Sequence, residues 1–243
     1  MKDHKNSFGA NLPYLLRNLV RYGHPRRLLK AIGREIKVQA SPIPVIGLDK
    51  LLPFPQPIHG DFSNSTFVAF LVASYGARDV FEFGTYLGET AMAVADKCPD
   101  AHVTTLDLPD ELANDFPLAK ARSGVEVTDE YLFQSKRGRL IQGEAAGRIT
   151  QLRQDSAKFD PTPYAHAFDF IYIDASHSYS AVKADSEKAF QMLRPGGRIL
   201  WDDYGYTGVW RYLNELAESR KGLPLYCLPD FGKVILAGAP AKL

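Results

Sequence analysis

"VFEFGTYLGET", Val80–Thr90, reads as a buried strand, a sharp turn and the start of a helix. Val80, Phe81 and Phe83 supply the β-forming run. Gly84 allows the backbone to turn sharply and approach a ligand, and Gly88 opens a helix over "GETAMAVADKC". The next strand, "AHVTTLD", ends on Asp107, about 20 residues on, the spacing at which an acid in nucleotide-binding α/β folds accepts hydrogen bonds from ribose. A dinucleotide fingerprint would need a middle glycine where Tyr86 stands, which weakens a nicotinamide reading. The two glycines could also serve tight packing alone.

The same alternation runs outward in both directions. "DFSNSTFVAFLVASYG" is a helix capped by Asp61 or Ser63 and closed by Gly76. "ITQLRQD", "FDFIYID" and "RILWDD" are strands. "SAVKADSEKAFQMLRPGG" and "GVWRYLNELAESRKG" are helices, the first closed by Pro195-Gly196-Gly197. "PLYCL" and "KVILAG" form an antiparallel pair at the end. Strands alternating with helices predict a Rossmann-like, doubly wound α/β fold: a mostly parallel seven-stranded sheet with an antiparallel C-terminal strand. This domain spans residues 61–243. Residues 108–150 have weak periodicity and many charges, and are expected to be an inserted lid.

Residues 1–60 read as an N-terminal helical extension followed by a proline-rich linker. Leu12, Leu15, Leu16 and Leu19 keep helical spacing among many basic residues. Such a helix suits a membrane surface or an acidic partner, or packs its leucines on the main domain with its charges solvated.

With 29 basic and 28 acidic residues, the 243-residue chain gives no case for nucleic-acid binding. It has neither a signal-peptide core nor the roughly 18–20 consecutive apolar residues of a transmembrane segment. Cys98 and Cys227 fit no metal or redox spacing, so a reduced, cytoplasmic protein is expected.

A second constellation begins where "FDFIYIDASHSY", Phe168–Tyr179, stops on Asp174, three residues before His177. Ligands bind beyond the carboxyl ends of parallel strands. Asp202 and Asp203 end the next strand, so three carboxylates are expected to converge. Mutual repulsion then calls for protons, cationic side chains or a metal. Oxygen ligands favour a hard cation such as Mg²⁺. The bland alternative is that these acids cap helices or face solvent. His177, with an ordinary pKa near 6.5, is the candidate general base. Trp201, Tyr204, Tyr206 and Trp210 could stack on a substrate ring, with at least two expected in the core.

"EFGTYLGET" resembles the first motif of class I S-adenosylmethionine-dependent methyltransferases, E-x-G-x-x-x-G-x-[ST], and the likeness runs from about residue 61 to 238. It implies that Glu82, Gly84, Thr85 and Gly88 surround the methionine part of the cofactor and that Asp107 holds the ribose. "QDSAKF" would place Asp155 and Ser156 by the adenine, although an Asp-Ser pair is also ordinary turn chemistry. The segment from Ile171 to Tyr204 is similar to metal-dependent O-methyltransferases related to macrolide-sugar and cephamycin-pathway enzymes. By that likeness Asp174, Asp202 and Asp203 would ligate Mg²⁺ and His177 would be the base. The sugar enzymes often carry Glu-Asp where this chain has Asp-Asp, so Asp202 would reach about one methylene less far.

The resulting expectation is an S-adenosylmethionine-dependent, Mg²⁺-dependent O-methyltransferase acting on a sugar or diol hydroxyl of a small molecule, glycosylated acceptors included. A homo-oligomer is compatible with it. The rivals are a nicotinamide-dependent oxidoreductase and a non-catalytic cofactor-binding protein.

Overall fold

The computed structural model describes residues 41–52, 63–113 and 137–239. The chain divides into two compact units, residues 1–41 and 42–243. The expected N-terminal helix lies outside the described residues, as does most of the expected lid. The second unit takes in residues 42–52, which the sequence reading assigns to the linker. This segment lies along the sheet domain: Cys227 N donates to Pro44 O at 2.8 Å, Ile46 N donates to Cys227 O at 3.1 Å, and Ile43, Leu48 and Leu52 are buried.

The strands are β1 (Asp79–Phe83), β2 (His102–Asp107), β3 (Ile149–Arg153), β4 (Phe168–Ile173), β5 (Leu193–Trp201), β6 (Leu225–Leu228) and β7 (Lys233–Leu236). They form one sheet in the order β3-β2-β1-β4-β5-β7-β6. β1 to β5 are mutually parallel, and β7 runs antiparallel to both of its neighbours. This is the expected Rossmann-like sheet. β1 and β4 are buried almost throughout, as strands covered on both faces must be. The strand order reverses between them, which opens a crevice at their carboxyl ends.

The principal helices are α1 (Asn64–Tyr75), α2 (Glu89–Lys97), α3 (Tyr179–Met192) and α4 (Thr207–Ser219). Ser63 caps α1, accepting from Thr66 N, and Gly76 closes it with φ +61°. α1 and α2 pack on one face of the sheet with Val80, Phe170, Tyr172 and Leu200. α3 lies over the other face, where Trp201 Nε1 donates to Ser186 Oγ at 2.9 Å and its ring meets Phe190.

One boundary differs from the sequence reading. α3 stops at Met192, and Pro195-Gly196-Gly197 belongs to β5. Leu193 is already extended at ψ 134°. Gly196 N donates to Ala239 O, and Ala239 N donates to Gly197 O, so the glycines are held by the chain after β7. Proline's missing donor is tolerable in such an irregular strand start, and the register against β4 shifts at this point.

Candidate active site

The crevice between β1 and β4 is set by one glycine. Gly84 follows β1 with φ +95°, and a Cβ placed there would lie 2.3 Å from the carbonyl oxygen of Asp174 and 3.1 Å from Ala175 Cα. The turns after β1 and β4 can approach this closely only because residue 84 has no side chain. Across the same turn, Asp107 Oδ2 accepts from Tyr86 N at 2.7 Å and Oδ1 accepts from Leu108 N at 2.8 Å, while Arg137 Nε stands 3.5 Å from Oδ1. Asp107 thus holds the turn in place, and Tyr86 accepts a positive φ of 45° within it.

Glu82 points into the core beneath this turn. Its Oε2 accepts from Thr105 Oγ1 at 2.8 Å, and Thr105 Oγ1 is 2.7 Å from Thr85 Oγ1. Burial pushes its pKa up to about 8, against the opposing pull of the Thr105 hydrogen bond. The folded state therefore holds a proton that the unfolded state releases. The stability this contributes is present in full below about pH 4.5 and gone by about pH 8. In the ligand-free protein, Glu82→Gln is expected to flatten this component of the pH dependence. Melting curves from pH 4.5 to 8 would show it; parallel wild-type and variant profiles would refute it.

The acids at the ends of β4 and β5 divide by the pleat. Successive strand residues face opposite ways. Asp202 lies on the α1 face, where Lys233 Nζ donates to its Oδ1 at 2.5 Å, Asn64 Nδ2 to its Oδ2 at 2.6 Å and Tyr172 OH to the same oxygen at 2.5 Å. Burial works against the charge of Asp202, but Lys233 and these donors prevail and lower its pKa. Asp203, in a left-handed conformation with φ +50°, turns the other way and brings Oδ2 within 2.9 Å of His177 Nε2. Asp174 lies between the two, its Oδ2 accepting from Tyr172 OH at 3.0 Å and its Oδ1 4.0 Å from His177 Nε2.

Asp174, His177 and Asp203 thereby offer three ligand atoms within 4.8 Å of one another. Two further observations fit a cation there. His177 Nε2 is buried between carboxylates without hydrogen-bond geometry to either, and burial together with the charge of Asp202 raises the pKa of Asp174 well above the carboxylate range. Burial alone would lower the pKa of His177, but contact with Asp203 and the charges of Asp174 and Asp202 raise it overall. The imidazole stacks on Tyr206, with centroids 4.5 Å apart. Behind it, the start of α4 presses on the His177 loop: a Cβ at Gly208 would lie 2.2 Å from His177 O.

Residues 81–204 match the family described as Methyltransferase domain. The chain belongs to that family. As an S-adenosylmethionine-dependent methyltransferase it is not the nicotinamide oxidoreductase left open by the sequence. No curated protein matches it significantly. Among solved structures, cofactor-bound Rv0187 from MTB is 17% identical, covering 95% of this chain and 97% of its own, with TM-score 0.50. The O-methyltransferase from Bacillus cereus in complex with SAH is 21% identical over 84% of this chain and 88% of that one, with TM-score 0.48. SAH-bound PaMTH1 from Podospora anserina is 15% identical over 97% and 96%, with TM-score 0.49. With Rv0187 the likeness concerns the fold alone.

Within this methyltransferase, Glu82, Gly84, Thr85, Gly88 and Asp107 come together around the β1 turn. Asp155 and Ser156 sit on a single turn after β3, with Asp155 Oδ1 accepting from Ala157 N at 2.9 Å. Of the expected trio, Asp174 and Asp203 stand with His177, while Asp202 meets Asp174 through Tyr172 OH and is engaged by Lys233 and Asn64. Asp174 and Asp203 offer two carboxylates, with the His177 nitrogen beside them. Strand alternation between Asp202 and Asp203 was the available signal. Lys233 is set beside Asp202 by the β7 register, which pairs Val234 with Trp201. Asn64 had no signal in the sequence. Of the four aromatics, Trp201 and Tyr204 are core.

Proposed function

We propose that this methyltransferase is an O-methyltransferase that moves the methyl group of S-adenosylmethionine to a hydroxyl of a small molecule, a sugar or diol, with Asp174 and Asp203 as ligands of a divalent cation and His177 as the proton acceptor. The observation that carries the reading is the placement of Asp174: its carboxylate belongs to the acid–imidazole cluster while its backbone packs directly on the Gly84 turn. Electrophile and nucleophile would therefore meet at one crevice.

The sulfonium methyl is already electrophilic, so catalysis consists mainly of alignment, which can be worth roughly 7–11 kcal/mol. Glu82, Thr85 and the turn from Gly84 to Gly88 would receive the methionine part, and the cationic amino group of that part would favour ionised Glu82. Asp107, fixed by Tyr86 N and Leu108 N, keeps lone pairs for the ribose hydroxyls. A divalent cation between Asp174 and Asp203 would lower the pKa of an acceptor hydroxyl and orient it. With a cation held by Asp174 and Asp203, His177 would lose part of the negative charge that raises its pKa and would be available as a base. Tyr206 keeps the ring in register by stacking.

Calorimetry with S-adenosylhomocysteine, with and without Mg²⁺ or Mn²⁺, on wild type and Asp174→Ala tests the site. Wild type is expected to bind the cation and release a proton from the acid cluster, seen as a heat that depends on the buffer's ionisation enthalpy. Asp174→Ala should weaken cation binding by at least about 100-fold. Methyl transfer from labelled cofactor to a panel of diols and glycosides, with and without chelator, tests the reaction. Transfer insensitive to chelator and to Asp174→Ala would overturn the metal assignment; no transfer to any oxygen acceptor would overturn the O-methyl reading.

A further inference from the structure

Asp185 is a carboxylate that neither the cation cluster nor the glycine turn uses. It lies in the middle of α3 and is 1% exposed. Among the described residues, neither Oδ1 nor Oδ2 has a hydrogen-bond partner. A buried acid without donors is costly, and such a group persists where some state of the protein supplies the donors.

The element that can supply them is the turn after β3. Residues Ser156–Lys158 form one 3₁₀ turn capped by Asp155, and this turn packs against α3. The Ser156 hydroxyl already bears on Asp185, lowering its pKa part of the way without reaching full hydrogen-bonding geometry. The turn stands at the carboxyl edge of the sheet, next in order after β2 and its Asp107. With the methionine part at the Gly84 turn and the ribose at Asp107 as proposed, the rest of the adenosyl group would extend toward this turn, as the resemblance to class I methyltransferases also implies.

The geometry points to Asp185 as a positioning residue for the cofactor: its buried carboxyl braces the Asp155–Lys158 turn through Ser156, and the bond between them closes when the adenosyl end of the cofactor seats on that turn. This rests on the proposed placement of the cofactor. In the ligand-free protein, burial holds the pKa of Asp185 up at about 6, with Ser156 and Lys188 opposing and Asp155 adding to the rise. Lys158 and Tyr164 stand on the two short turns packed against the same helix, and Tyr212 approaches from α4 through Ser186. When the turn closes, donors reach the carboxylate and favour its ionised form. Cofactor affinity should then rise with pH through about 6, because the bound state holds Asp185 ionised and the free state holds it half-protonated there.

The test is calorimetry with S-adenosylhomocysteine at pH 5 and pH 7.5 on wild type, Asp185→Asn, Ser156→Ala and the double variant. Wild type is expected to bind more tightly at pH 7.5 than at pH 5, with ionisation of Glu82 giving one part of the rise and Asp185 about tenfold of it, which is one pKa unit of coupling. Asp185→Asn should shrink that rise by about tenfold and leave the part due to Glu82, and the Ser156→Ala and Asp185→Asn losses at pH 7.5 should be non-additive, because they break one bond. A residue that served only the core would lower the melting temperature, keep the wild-type pH profile and give additive losses; that result overturns the inference. If Asp185→Asn does not fold, Ser156→Ala carries the test through its own pH profile, which should be flattened and, if unchanged, refutes the brace. Wild type failing to bind S-adenosylhomocysteine at either pH would instead sink the cofactor placement on which the inference rests.

Discussion

Lys233→Met is expected to destabilise the ligand-free protein by about 3–5 kcal/mol, the usual cost of stripping one partner from a buried ion pair. Lys233 is 1% exposed and its Nζ is 2.5 Å from Asp202 Oδ1. Without it, Asp202 keeps its charge among Tyr172, Asn64 and the core with no cation in contact. At the scale of a domain of about 200 residues this corresponds to a fall in melting temperature on the order of 10 °C. Lys233→Met with Asp202→Asn should recover most of the loss, since no buried charge is then left unpaired. Thermal melts of the single and double variants decide the matter. A single variant melting within about 2 °C of wild type, or a double variant no better than the single, would show that the pair does not hold this edge of the sheet.

The second large effect is expected at Gly84. Glycine accepts φ +95° freely, whereas any other residue pays for the left-handed backbone. The added methyl of Gly84→Ala would meet the Asp174 carbonyl carbon at 2.8 Å and its oxygen at 2.3 Å. Both are backbone atoms, so no side chain can swing aside, and either the turn after β1 or the turn after β4 must move. A cost of about 2–4 kcal/mol is expected from overpacking together with backbone strain. The functional loss is expected to be larger than the stability loss, because the first shift spoils the methionine end of the cofactor site and the second displaces Asp174. Folded Gly84→Ala should therefore lose S-adenosylhomocysteine binding and cation binding together, by calorimetry on protein whose circular dichroism matches wild type. Binding of both ligands at wild-type affinity would show that the two turns do not depend on their close approach.

What could be read without coordinates was local. The strand, the Gly84 turn and α2 are contiguous in the chain, and their chemistry is contained in its own alternation, glycines and caps. Asp107 could be placed because it ends the next strand of the same βαβ unit, and such strands are neighbours. The end of α3 could not: Pro195-Gly196-Gly197 looks like a helix stop, and its place in β5 depends on hydrogen bonds with residue 239. The acid pair was legible as a pair, and adjacency at a strand end already means opposite faces. The partners waiting on each face were not legible, because Lys233 and Asn64 come from distant parts of the chain.

The amino-acid sequence by itself determined the doubly wound sheet and the two crevice-forming turns, because hydrophobic period, turn residues and caps act over a few residues and need no partner from elsewhere. Only the tertiary structure decided which acids share a site. Asp202 is drawn to Lys233 and to Asn64, the latter 138 residues away in sequence, while Asp203 takes a left-handed backbone toward His177. Charge pairing of this kind is settled by distance in space and by what burial leaves unpaired, and neither quantity is written in the order of the residues.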